Sequence, residues 1–267
     1  MIEIDSAQDP RLDAFRWRER QLNTIAQRKA SVSSGHFIAE GDLVVQRALD
    51  AGCMPDTVLC DPKRAAIFDQ QVEGLGGKLC VASAEIRREV TGLGVPLDAI
   101  GLFHRPALAD ANELICACTR LLVLDSIDNP SNVGAIVRTA VALGWDGILL
   151  DTSSSDPLSR RALRVSMGTA LRVPFARVND VTKTLALMRD SGYTTIGLTP
   201  AATAQEISQV KLESGQKRAL VLGSERSGLS AATLGECSLH VKVPMRDGVD
   251  SLNVAAAAAI ACYALGG

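Results

Sequence analysis

From Leu121 onward the chain repeats one pattern: a short run rich in Val, Leu and Ile, a polar turn, then a helical stretch. The runs are Leu121-Leu122-Val123-Leu124, Gly147-Ile148-Leu149-Leu150, Thr194-Thr195-Ile196-Gly197-Leu198, Arg218-Ala219-Leu220-Val221-Leu222-Gly223 and Leu239-His240-Val241-Lys242-Val243. Most lack the polar alternation of a strand with one wet face. Strands of that kind need cover on both faces, which a mostly parallel sheet flanked by helices provides. Three of the strand ends are unusually polar or Gly-rich: 125–132, 223–229 and 244–253. Ligands of open α/β sheets sit beyond the carboxyl ends of strands, so these three ends are the candidate site.

The first hundred or so residues form a second alternating α/β module, of ordinary domain size. A short strand and turn are expected over 35–41, further strands at 57–60, 78–81 and 100–103, and helices at 42–51, 63–71 and 83–90. Upstream, Leu12, Phe15, Leu22 and Ile25 recur at roughly helical spacing among Arg11, Arg16, Arg18, Arg20, Arg28 and Lys29, which predicts an amphipathic helix over 11–29 with a basic face. That face serves either solvation or contact with phosphates. The division is residues 1–108, a linker at 109–119, and residues 120–267.

Composition narrows the function. A net charge of −2 excludes a uniformly basic nucleic-acid binder but not a local basic surface. Aromatics make up 3%, too few for broad base-stacking platforms. Seven cysteines, odd in number and without a Cys-x-x-Cys pair, read as free thiols of a reducing cytoplasm. The three histidines are far apart and lack metal-ligand spacing, so no metal is expected. No apolar run is long enough to span a bilayer, and no targeting segment is visible.

Taken one at a time, the polar strand ends are ambiguous. Asn129-Pro130-Ser131-Asn132 reads as a capped turn or a phosphate-binding helix start. Gly223 to Gly228 resembles half of a P-loop but lacks the Lys and Ser/Thr that should follow. Ser251 stands where the N-cap of the last, alanine-rich helix is expected. The residues alone give a ligand-binding α/β domain without a reaction.

Three stretches, in order, resemble the three motifs of the SpoU (TrmH-like) branch of the SPOUT RNA methyltransferases. They are Asp128-Asn129-Pro130-Ser131-Asn132-Val133-Gly134-Ala135-Ile136-Val137-Arg138, then Leu220-Val221-Leu222-Gly223-Ser224-Glu225-Arg226-Ser227-Gly228-Leu229, then Val243-Pro244-Met245 with Ser251-Leu252-Asn253-Val254. The segment Phe37-Ile38-Ala39-Glu40-Gly41 and the helix after it resemble, more loosely, the family's N-terminal RNA-binding domain, which is similar to a ribosomal protein.

The resemblance implies an α/β fold: a C-terminal Rossmann-like parallel sheet with a deep trefoil knot, preceded by a small α/β RNA-binding domain. It implies S-adenosyl-L-methionine as cofactor, a homodimer, and methyl transfer to a ribose 2′-hydroxyl of rRNA or tRNA. The alternative is a knotted RNA-binding or assembly protein without catalysis. A nucleotide-binding oxidoreductase would need a glycine fingerprint that is absent. By position Arg138, Asn132, Glu225, Ser251 and Asn253 are the catalytic set. Arg138 would polarise the hydroxyl or stabilise the developing alkoxide. Leu198, Thr199, Gly223, Val243, Met245 and Leu252 are the cofactor-binding set. Arg16, Arg18, Arg20, Lys29, Arg161 and Arg164 are the candidate RNA contacts.

Overall fold

A computed structural model describes residues 1–24, 35–246 and 248–266. The chain forms two compact units: residues 1–107 with 158–172, and residues 108–157 with 173–267.

The first unit is built on five strands: β1 (Ile2–Ile4), β2 (His36–Glu40), β3 (Pro55–Cys60), β4 (Lys78–Ala82) and β5 (Ala99–His104), in the order β1-β4-β3-β5-β2. β1, β3 and β4 run parallel, and β5 pairs antiparallel with β2 and β3. Helices Asp42–Asp50, Ala65–Gly74 and Ala84–Thr91 fall where the apolar periodicity puts them. The last is capped by Ser83, whose side chain accepts from the Ile86 N–H. One face of the sheet is closed by Leu12, Phe15, Leu22, Ile38, Leu59 and Ile100.

The helix expected over 11–29 is not continuous. A 3-10 turn covers Pro10–Arg16 and a single α-turn covers Glu19–Leu22, with Trp17 and Arg18 extended between them. Phe15 and Leu22, one on each side of the break, are both about 1% exposed and pack into the core. Lys29 and Ile25 lie outside the described residues.

Residues 158–172 return to this first unit from the middle of the second. Three arginine anchors hold them there. The Arg160 backbone N–H donates to Glu19 Oε1 at 2.8 Å, Arg164 pairs with Glu40 at 3.1 Å, and Arg47 donates to the Met167 carbonyl at 2.5 Å. The Glu40 side chain is 3% exposed, so this pairing is internal to the unit and Arg164 is engaged in it.

The second unit is a sheet of seven strands: β6 (Arg120–Asp125), β7 (Gly147–Leu150), β8 (Phe175–Arg177), β9 (Thr194–Leu198), β10 (Gln205–Glu206), β11 (Arg218–Gly223) and β12 (Leu239–Lys242). Their order is β10-β12-β9-β11-β6-β7-β8, and every pairing is parallel. The central strands are sealed: Leu121 to Leu124 and Ala219 to Val221 have no exposure. Truncating one such leucine to alanine is worth about 2–5 kcal/mol.

The chain builds outward from β6 through β7 and β8, then crosses to β9 on the other side and fills the gap with β11. That reversal is where a doubly wound sheet opens a crevice at its carboxyl edge. Residues 109–119, expected as a linker or a bridging helix, hold a helix at Ala111–Ala117, and its Leu114 and Ile115 pack into the second unit's core. The C-terminal helix, Val254–Leu265, is tied down at its end. Trp145 Nε1 donates to the Cys262 carbonyl at 3.2 Å, and Arg218 donates to the Leu265 carbonyl at 2.6 Å.

Candidate active site

At the carboxyl edge of β9, β11 and β12 lies a cavity of about 450 Å³. The volume falls in the usual range for small-molecule sites. Leu198 and Thr199 come from the end of β9, Gly223 from the end of β11, and Val243, Met245 and Leu252 from the segment after β12. All six cofactor-binding candidates therefore line one cavity. Glu225 and Ser251 of the catalytic set line it too.

Gly223 is where chemistry dictates the residue. A Cβ there would lie 2.4 Å from the Leu229 nitrogen and 2.5 Å from the Gly228 carbonyl carbon, closer than any side chain tolerates. The loop after β11 folds back on itself: the Gly228 N–H donates to the Ser224 carbonyl at 2.8 Å, with Gly228 at φ 65°. The result is a tightly turned shelf that lines the cavity.

A hydrogen-bonded chain stands behind the shelf. Asn132 Nδ2 donates to Glu225 Oε1, and Asn253 Nδ2 donates to Asn132 Oδ1 at 3.1 Å. Asn132 is 9% exposed and sits in the first turn of helix Pro130–Ala142. Asn253 uses its Oδ1 on the Ala255 N–H at 2.9 Å, so Asn253, not Ser251, is the cap of the C-terminal helix. The cap moves two residues because the chain is still extended at Ser251 and Leu252, where it forms the cavity wall.

The turn after β6 is braced differently. Ser126 has φ 62°, an unusual conformation for a side-chain-bearing residue. Asp151, at the end of β7, accepts from the backbone N–H groups of Ser126, Ser153 and Ser154 at 2.8–3.0 Å. Burial pushes the Asp151 carboxyl up, but these bonds outweigh it and hold it below the usual carboxylate value.

Arg138 is placed elsewhere. It is exposed, does not line the cavity, and has no hydrogen bond or ion pair among the described residues. It lies six residues after Asn132 on the same helix, about a third of a turn away from that face. The candidate RNA contacts are divided. Arg16 is bonded to the Ala7 carbonyl and to Asp13, Arg18 and Arg20 are exposed, Arg161 is exposed beside Arg164, and Arg164 serves Glu40. Among the described residues no cluster of three or more possible metal ligands occurs.

The cavity also brings in residues the motif reading passed over, of which Arg226 is the one with a charge. Its signal was its place inside the second motif, next to Glu225.

A profile of the SpoU rRNA Methylase family matches residues 119–263, which cover most of the second unit together with residues 158–172 and carry all three motif stretches. The chain belongs to the SpoU rRNA methylase family. A Mycobacterium tuberculosis protein named "Uncharacterized tRNA/rRNA methyltransferase" is 37% identical over 268 residues, 98% of this chain and 90% of its own. Among solved structures, the AdoMet-bound rRNA methyltransferase from Sinorhizobium meliloti superposes with a TM-score of 0.82 at 25% identity, over 98% of this chain and 96% of that one. An RNA 2′-O ribose methyltransferase superposes with a TM-score of 0.75 at 25% identity, over 98% and 97%. In this family member, the three motifs correspond to the cavity shelf, the cavity wall and the helix start behind them.

Proposed function

We propose that this RNA methyltransferase uses S-adenosyl-L-methionine to methylate a ribose 2′-hydroxyl in structured RNA, and does so as a homodimer with a knotted C-terminal segment. The observation that carries the reading is the convergence of Leu198, Thr199, Gly223, Val243, Met245 and Leu252 on one cavity.

The lining suits the cofactor. Apolar walls from Leu198, Val243, Met245 and Leu252 fit an adenine ring, and the hydroxyls of Thr199, Ser224 and Ser251 with the shelf backbone offer polar partners for a ribose and an amino acid. When bound, the cofactor supplies a methyl group already activated on a sulfonium. The protein's task is then alignment for in-line attack and removal of one proton as the oxygen–carbon bond forms and the sulfur–carbon bond breaks.

Ser251, which lines the cavity, holds the 2′-hydroxyl in this reading. Glu225, fixed by Asn132, keeps the shelf in register with the cap of the C-terminal helix. Arg138, normally protonated and a poor base, stabilises the developing alkoxide. It does so from the partner copy: it stands off its own cavity, and the neighbouring C-terminal helix exposes Ala256, Ile260 and Tyr263 along one stripe, with Tyr263 78% exposed. Residues of loop 223–229 and of 243–245 and 251–257 line one cavity, which supports the knot, a path that would draw the last helix past that loop. The N-terminal unit serves RNA recognition, and rRNA is the preferred substrate over tRNA.

The deciding experiment incubates the protein with labelled S-adenosyl-L-methionine and rRNA or tRNA from cells lacking the gene. The expected outcome is label in rRNA, mapped to a 2′-O-methyl nucleotide. Cofactor binding with no label in either RNA would favour the assembly-protein alternative.

A further inference from the structure

Among the described residues, Arg226 is the one basic residue that lines the cavity. It is exposed, and its guanidinium has no hydrogen bond or ion pair among them. Its backbone, by contrast, is fixed. The Arg226 N–H donates to Ser224 Oγ at 3.2 Å, within the loop closed by the Ser224–Gly228 pairing. The adjacent Glu225 carboxylate accepts from Asn132 through Oε1 and forms no ion pair with Arg226 among the described residues. The cavity therefore carries a backbone-anchored cation that makes no ion pair among the described residues, next to one carboxylate, Glu225, in a lining that is otherwise apolar or hydroxyl-bearing.

Substrate chemistry says what that cation meets. A ribose 2′-hydroxyl sits on the carbon next to the one that bears the 3′-phosphodiester. A cavity that receives the hydroxyl receives that phosphate beside it. The cofactor also has a carboxylate, but it travels with its own ammonium group, whereas the phosphodiester brings a full charge with no internal partner. A guanidinium is a fork of donors matched to two phosphate oxygens.

We propose that Arg226 is a substrate-contacting residue that grips the phosphodiester on the 3′ side of the target ribose. The assignment rests on the 2′-O-methyltransferase reading. It adds a determinant for RNA that belongs to the cofactor shelf itself, so the loop that shapes one ligand's site also registers the other.

The test compares wild type, Arg226→Ala and Arg226→Lys. Methyl transfer to rRNA from cells lacking the gene is measured across a salt series, and S-adenosyl-L-methionine binding is measured by calorimetry. Arg226→Ala should raise KM for RNA by about tenfold and flatten the slope of log(kcat/KM) against log[salt] by about one. Cofactor Kd should stay within about twofold, and Arg226→Lys should keep the salt slope, since a lysine remains a point charge for phosphate. A cofactor Kd that rises in step with KM, at unchanged salt slope, would overturn the assignment in favour of the cofactor's carboxylate. Unchanged kinetics in Arg226→Ala would overturn it outright. A wild type that binds cofactor but labels no RNA would instead bring down the activity reading beneath it, which the wild-type arm alone reveals.

Discussion

Asn253 donates to Asn132 at 3.1 Å while its own oxygen caps the C-terminal helix, so one side chain joins the start of the last helix to the start of the helix after β6. Asn132 passes the connection on to Glu225 in the cavity shelf. The three motifs are thus one hydrogen-bonded assembly, and its two functions at Asn253, capping and linking, are separable by substitution.

Asn253→Ala removes both. Loss of the cap costs about 1 kcal/mol, a fall of about 2–4 °C in Tm for a unit of this size, and activity should fall with it. Asn253→Asp keeps a capping oxygen at a helix N-terminus that favours negative charge. It loses the donor to Asn132, so it should melt close to wild type and still lose activity. Thermal melts paired with single-turnover methyl transfer check this. An aspartate variant with wild-type turnover would show that the link to Asn132 is not needed.

The proposal that Arg138 acts in the site of a partner copy predicts complementation. Arg138→Ala and Glu225→Ala should each be inactive alone. Mixed and exchanged as dimers, they should regain about a quarter of wild-type activity, because half the dimers are mixed and each holds one site with both side chains. No recovery in verified heterodimers would place Arg138 in the site of its own chain.

Asp151 gives the protein a defined acid sensitivity. Its folded value is depressed, so the stability it contributes is complete above the unfolded aspartate value of about 3.9 and fades as pH falls through the lower folded value. Asp151→Asn should cost about 1–2 kcal/mol at neutral pH, where it weakens the acceptor for three backbone N–H groups. The gap to wild type should narrow on acidification below that window. Urea midpoints at neutral and acidic pH measure it; a gap that widens in acid would contradict the assignment.

The thiols should sort by burial. Cys116 is exposed, whereas burial pushes Cys60 and Cys262 up to about 12. One cysteine should therefore react promptly with a thiol reagent in the native protein, and mapping should find it to be Cys116. Rapid modification of Cys262 would mean the C-terminal helix opens far more readily than its tether to Trp145 implies.

The strands of the second unit were legible because unbroken runs such as Leu121 to Leu124 have no wet face to break the pattern. β1 and β10, at three and two residues, and the helix Ala231–Gly235 are too short for periodicity to show. Side-chain spacing over 11–29 does not reveal the extended break at Trp17 and Arg18, because Phe15 and Leu22 keep a helix-like separation across it. Ser251 and Asn253 are both good caps in isolation, and only the course of the chain along the cavity chooses between them. In the site, the motif residues could be located by resemblance, but the bond between Asn132 and Glu225, 93 residues apart, belongs to the fold. So does the position of Arg138 outside its own cavity.

Residues 158–172 bear on how such a protein could be taken apart. Leu158, Ala162, Leu163 and Ala170 are at most 1% exposed, and their segment clusters with residues 1–107 although it is encoded within the second unit. Cutting the gene near residue 107 would leave that strip of apolar side chains without its cover, and shuffling the N-terminal unit onto a relative would require the strip to move with it. The first unit is in this sense a discontinuous gene segment, encoded as two pieces joined by Glu40 and its arginines.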